Sequence, residues 1–75
     1  MNLSEVELSK SCVVQNIKIL DEPTKIRIME LGIVNNAIIF VKHKSILKNT
    51  LLIIFNNSCF TIGSNIANGI EVNYV

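Results

Sequence analysis

Thr50–Phe55, TLLIIF, sets five apolar residues in a row behind a threonine. Successive side chains of a strand point to opposite faces. Leu51, Ile53 and Phe55 therefore share one face, and Leu52 and Ile54 share the other. The chain has 75 residues, which is one domain over 1–75 with room for a single core. One face of this strand fills that core. The other needs a cover, which is either the chain's own helix or N-terminal segment, or a partner.

The flanking segments read as further short strands. Cys12–Leu20, CVVQNIKIL, puts Val13, Gln15, Ile17 and Ile19 on one mostly apolar face. Ala37–Lys44, AIIFVKHK, carries Ile39 and Val41 on its inward side and Ile38 and Phe40 on its outward side. Ser58–Ile62, SCFTI, follows the pair Asn56-Asn57, and Asn supplies the positive φ that tight hairpin turns need. Asn35-Asn36 and Gly63-Ser64-Asn65 also read as turns, and Asn68-Gly69 opens a last strand, IEVNYV. Asp21, Glu22 and Pro23 suit the first turn of a helix. That helix runs from about Pro23 to Leu31 and stops at Gly32, where a left-handed residue is usual. Ile28 with Leu31, and Ile26 with Met29, are spaced to share helix faces. Together these segments make a mainly β fold. About five short antiparallel strands and one short α-helix bend into a small barrel, with Ile39, Val41, Leu51, Ile53 and Phe55 inward.

Composition narrows the function. The chain is 49% hydrophobic and 17% charged, which excludes intrinsic disorder. Its formal net charge of +1 gives no overall field for nucleic acid or an anionic membrane. Lys42, Lys44 and Lys48 gather around one loop and read as solvated groups that blunt a strand edge. The opening MNLSEVELSKSC has no basic region followed by an apolar segment, as a signal peptide would. The longest apolar runs are far short of the roughly 20 residues of a membrane helix. The expected setting is cytoplasmic, without direct membrane insertion. Two cysteines, Cys12 and Cys59, make no disulfide framework, and their apolar surroundings predict buried thiols.

No residue pattern for catalysis appears. There is no Gly-rich phosphate loop, no Ser-His-Asp set and no paired carboxylates in an apolar setting. The single histidine, His43, lies in a run of lysines. Cys12, His43 and Cys59 lack any C-x-x-C or H-x-x-x-H pairing, so no metal ligands are assigned. A cofactor is not expected.

The central stretch KIRIMELGIVNNAIIFVKHKSILKN resembles the FeoA family, small cytoplasmic proteins encoded with the bacterial ferrous iron transporter FeoB. Ile28, Met29, Glu30, Leu31 and Gly32 match that family's helix end, and Ile33 and Val34 its apolar pair. SNIANGIEV looks like the family's ending, with Ala67 and Ile70 at its small and aliphatic positions. The likeness runs from about Val13 to Val72. It departs at Asn35-Asn36, where the family has Pro-Gly, and in the Ser45–Thr50 loop, which lacks the family's Pro and Gly-Asp-Pro element.

The resemblance implies an SH3-like barrel, a domain type also found at the C-terminus of some iron-dependent repressors. It implies a non-enzymatic accessory protein of ferrous iron uptake. Such a protein would dock on the cytoplasmic GTP-binding part of a FeoB-type transporter and be peripheral to the inner membrane through it. The expected contact residues are Arg27, Met29 and Glu30 at the helix end, with Ile46, Leu47 and Lys48 in the adjoining loop. Leu31 is expected to anchor the helix. Ile38, Phe40, Leu52 and Ile54 form a candidate exposed apolar face. The alternatives are a self-associating barrel that uses this face in a homodimer, and a small chaperone that binds Fe²⁺ directly.

Overall fold

In the computed structural model, which describes all 75 residues, the alternation of TLLIIF decides which side of the sheet becomes the interior. Strand β3 (Thr50–Phe55) buries Leu51 and Ile53 and leaves Leu52 and Ile54 partly exposed on the other side. Phe55 faces inward but is only partly buried, at the rim of the core. The other strands are β1 (Lys10–Ile17), β2 (Ile38–Ser45), β4 (Ser58–Gly63) and β5 (Ile70–Tyr74). Helix α1 covers Glu22–Glu30, and a one-turn helix, α2, covers Ser64–Ala67. A 3₁₀ turn, Leu3–Glu5, opens the chain. The architecture is mainly β and SH3-like, with more short helical structure than the single helix the sequence announces.

All pairings are antiparallel, in the order β4-β3-β2-β1-β5. β4 and β5 are the two edges of the curled sheet, and α2 connects them. Asn56 and Asn57 turn β3 into β4 with φ of 53° and 64°. Two successive positive φ values match the right-handed twist of a hairpin.

The face assignment of β1 differs from the sequence reading. Cys12, Val14 and Ile17 are buried, whereas Val13 is partly exposed and Gln15 exposed. The register against β5 shifts between Val14 and Asn16. A bulge there inserts one residue, so the alternation changes phase along the strand. A second shift, between Val41 and His43, bends β2 against β3.

Asp21 caps α1, its carboxylate accepting the Thr24 backbone N–H at 3.2 Å. At the other end Gly32 takes φ of 98°. The Ile33 N–H donates to the Ile28 carbonyl at 3.3 Å, and the Gly32 N–H to the Met29 carbonyl at 3.0 Å. This is the Schellman arrangement, completed by contact between apolar residues either side of the turn. Ile28 and Ile33 are those residues, and both are buried. They anchor the helix. Leu31, expected in that role, is 43% exposed.

Fifteen residues form the core, and all are apolar or cysteine. Two of them, Leu3 and Val6, come from the N-terminal segment. That segment lies beside β5, where the Val72 N–H donates to the Met1 carbonyl at 2.7 Å and Asn2 bridges to Glu71. It therefore closes the core and does not supply the cover for the outer face.

A Cβ at Gly32 would stand 3.2 Å from Phe55 Cε2, on a backbone that L residues rarely adopt. Gly32→Ala should lower stability by about 1–2 kcal/mol. Urea unfolding should show this as a lower midpoint at an unchanged slope.

Candidate functional site

The core has no polar side chain, so candidate function lies on the surface. Three exposed apolar features stand out.

The first is the end of α1. Arg27, Met29 and Glu30 are all exposed, with Ile26, Leu31 and Val34 exposed around them. Met29 and Val34 line a shallow cleft of about 340 Å³ with Asn16, Ile17, Lys25 and Asn35. Arg27 and Leu31 line a more apolar cleft of about 190 Å³, floored by Ile28, Ile33 and Ile53 and walled by Phe60 and Ile66.

The second is the β2–β3 loop. Ile46 is 94% exposed and Leu47 99% exposed. Neither is core, although aliphatic residues in so small a chain would ordinarily be drawn inside. The loop is held by its own backbone. The Asn49 N–H donates to the Ile46 carbonyl at 3.3 Å, and the Lys48 N–H donates to Ser45 Oγ at 3.3 Å. Asn49 closes the turn with φ of 53°.

These two features are not one patch. The helix end meets β3 at Phe55, which is packed under Gly32. The loop enters β3 at Thr50. At about 3.3 Å per residue the two ends of the strand are about 17 Å apart. Arg27, Met29 and Glu30 thus form one candidate contact, and Ile46, Leu47 and Lys48 another.

The third feature is the outer face of the sheet. Phe40 stands opposite Ile54, and Ile54 opposite Cys59; Ile38 stands opposite Val13. Leu52 stands between His43 and Thr61. Ile38 is 57% exposed, while Phe40, Leu52 and Ile54 are partly buried. Neither α1 nor the N-terminal segment lies over them, since the core that those elements complete is on the opposite side. Val13 and Cys59 extend this face beyond the four residues read from sequence. Strict alternation groups Val13 with Ile17, and the bulge between Val14 and Asn16 puts the two on opposite faces.

The thiols also separate. Cys12 is buried on the inner face, its Sγ 3.5 Å from the Ile39 carbonyl. Desolvation pushes its pKa up to about 11. Cys59 is exposed, contrary to the sequence expectation, because it occupies an outward position of the edge strand β4. His43 is exposed on β2 and separated from β4 by β3. His43 lies in line with Thr61, two residues along β4 from Cys59, so at about 4.8 Å per strand and about 3.3 Å per residue the two are about 12 Å apart. No three side chains among His, Cys, Asp and Glu come together as metal ligands.

A single ion pair, Lys18–Glu71, joins β5 to the segment after β1. The hydrogen bond from Lys18, with its charge, holds the Glu71 carboxyl below the usual range. No helix is long and apolar enough to cross a membrane.

A sequence model of the FeoA domain matches residues 1–74. The chain belongs to the FeoA family. Solved structures agree with that membership. The FeoA protein from Chlorobium tepidum superposes with a TM-score of 0.90 at 27% identity, covering 100% of this chain and 70% of that one. FeoA of Stenotrophomonas maltophilia, solved in complex with zinc and described as a prokaryotic SH3-domain protein, gives 0.84 at 26% identity over 97% of this chain and 89% of that one. A FeoA-like protein from Clostridium acetobutylicum gives 0.86 at 21% identity over 100% of this chain and 86% of that one, a likeness of fold. A search of curated proteins finds no match. The family places the chain among small SH3-like accessory proteins of bacterial ferrous iron transport.

The two thiols should differ sharply in reactivity. At pH 8 a thiol with a pKa of about 11 is thiolate in about one molecule per thousand. A chromogenic disulfide reagent should titrate one thiol, Cys59, in the native protein and the second only on unfolding. Cys59→Ser should remove the fast phase alone.

Proposed function

We propose that this FeoA protein is a regulatory docking module without catalysis of its own, whose partner is the cytoplasmic GTP-binding part of a FeoB-type transporter. The observation that carries the reading is the exposed apolar surface at the end of α1. Met29 and Val34 are 46% and 41% exposed, beside charges of both signs at Arg27 and Glu30. Exposed apolar side chains rimmed by polar ones mark interaction sites. Met29 supplies an adaptable apolar anchor. Arg27 and Glu30 set register and orientation.

Regulation by docking requires unequal affinity for two states of the partner, since equal affinity shifts no equilibrium. Amide NMR titration with the isolated GTP-binding domain should move resonances around Arg27, Met29 and Glu30. Met29→Asp should weaken binding at least about tenfold. Affinity should differ between the GDP-bound and GTP-analogue-bound domain. A flat titration would remove the docking reading. Equal affinities for the two nucleotide states would remove the regulatory part of it.

The outer face favours a second reading, self-association. Four strands contribute a continuous apolar run from Val13 and Ile38 through Phe40 and Ile54 to Cys59. Sedimentation equilibrium should then show a mass that rises with protein concentration, and Ile54→Lys should return it to the monomer. A mass of one chain at all concentrations would sink this second reading.

A further inference from the structure

The tip of the β2–β3 hairpin is a second surface, apart from the helix-end contact. Its two aliphatic side chains, Ile46 and Leu47, are nearly free of contact with the rest of the chain. Charge is also divided unevenly between the hairpin and the remainder. Of seven basic and six acidic residues, Lys42, Lys44 and Lys48 lie in the segment 42–50, which has no acid. Everything outside it is left with four basic and six acidic residues. The small net charge of the chain therefore hides a positive tip on an acidic body.

Two of the three cations are available. The one ion pair of the protein involves Lys18 and Glu71. Lys44 Nζ donates to the Ser4 carbonyl at 2.9 Å, so its side chain is tied to the N-terminal segment. Lys42 and Lys48 are exposed. The pairing of β1 with β2 ends at Lys10–Val41, so residues 42–45 of β2 extend past their β1 neighbour. On the other side β4 pairs with β3 as far as Thr50–Gly63 and the Ser64 N–H donates to the Asn49 carbonyl, so residues 46–48 are the part that stands clear of the sheet. The turn is held by the Asn49-to-Ile46 and Lys48-to-Ser45 hydrogen bonds, while the Ile46 and Leu47 N–H groups have no partner in the chain. Unpaired backbone groups are costly to bury where water is scarce, so only the two side chains leave it.

We infer that the β2–β3 hairpin tip seats on an anionic lipid surface, with Ile46 and Leu47 entering the headgroup–acyl boundary and Lys42 and Lys48 facing the lipid phosphates. Apolar side chains flanked by lysines bind interfaces by combining apolar burial with attraction to anionic headgroups. The contact is shallow and reversible, since two side chains are far less than a membrane anchor. Its use is to hold the protein in the plane of the bilayer, where a weak second contact adds strongly to any other.

The chain has no tryptophan, so Leu47→Trp gives a single reporter at the tip. Full-length L47W should show a blue-shifted emission with vesicles of phosphatidylglycerol and phosphatidylcholine in equal parts. It should show none with phosphatidylcholine alone. The shift should fade with added salt. Lys42→Gln and Lys48→Gln should each weaken vesicle binding about fivefold. Ile46→Asp in the same background should abolish the shift. Circular dichroism of each variant should match the parent, because all four positions are exposed or partly exposed outside the core. An unshifted emission with anionic vesicles would overturn the inference. So would equal insertion into neutral vesicles, or a shift induced only by the transporter's isolated GTP-binding domain, which would make the tip a protein contact. The vesicle experiment contains no transporter and the docking titration contains no lipid, so either reading can fail without the other.

Discussion

Ile53 and its cross-strand neighbour Val41 are wholly excluded from solvent at the centre of the sheet, and the rest of the chain is arranged to keep water from the space in front of them. A strand pair buries its two faces only if something lies on each, and so short a chain has material for one side. The two bulges bend β1 and β2 around that side. α1 reaches it through Ile28 alone, held beside Ile33 by the turn at Gly32. Leu3 and Val6 fill the remaining opening. What is left over, the outer row from Val13 to Cys59, is uncovered because nothing remains to cover it.

Much of this is legible in the residues. TLLIIF fixes the inner and outer sets of β3, the Asn56-Asn57 pair gives its hairpin, and Gly32 marks the end of α1. These features are local, and the physics that sets them acts within a few residues. The failures are of the opposite kind. Alternation puts Val13 and Ile17 on one face, whereas the bulge that separates them is decided by how β1 matches β5, more than fifty residues away. Leu3 and Val6 were left out of the core because one 3₁₀ turn is too short to show a period. Cys59 was read as buried because its neighbours are apolar, whereas the outward phase of an edge strand exposes it. The candidate contact residues were legible as types, but their division between two ends of β3 was not. Sequence adjacency placed the helix end and the loop together, and the strand between them holds them apart.

Membership of the FeoA family explains the fold and the accessory role, while the particular surfaces are this chain's own. In the β2–β3 loop this chain holds Ile46, Leu47 and Lys48, all exposed and with no acid beside them. The helix end and the loop lie at opposite ends of β3 and share no residue.

The position of β5 has a kinetic consequence. β2, β3 and β4 are joined by short loops, and each pair closes a few residues of chain. β1 meets β5 through partners such as Ile17 and Ile70, more than fifty residues apart. Closing a longer loop costs more chain entropy before any contact repays it. The meander of β2 to β4 is therefore the part able to form early, and the pairing that brings β5 and the N-terminal turn into place is the slow step. Until that step occurs, Cys12, Val14 and the inner side of the meander are open to water, and a chain with two apolar sheet faces is most prone to join another in that interval.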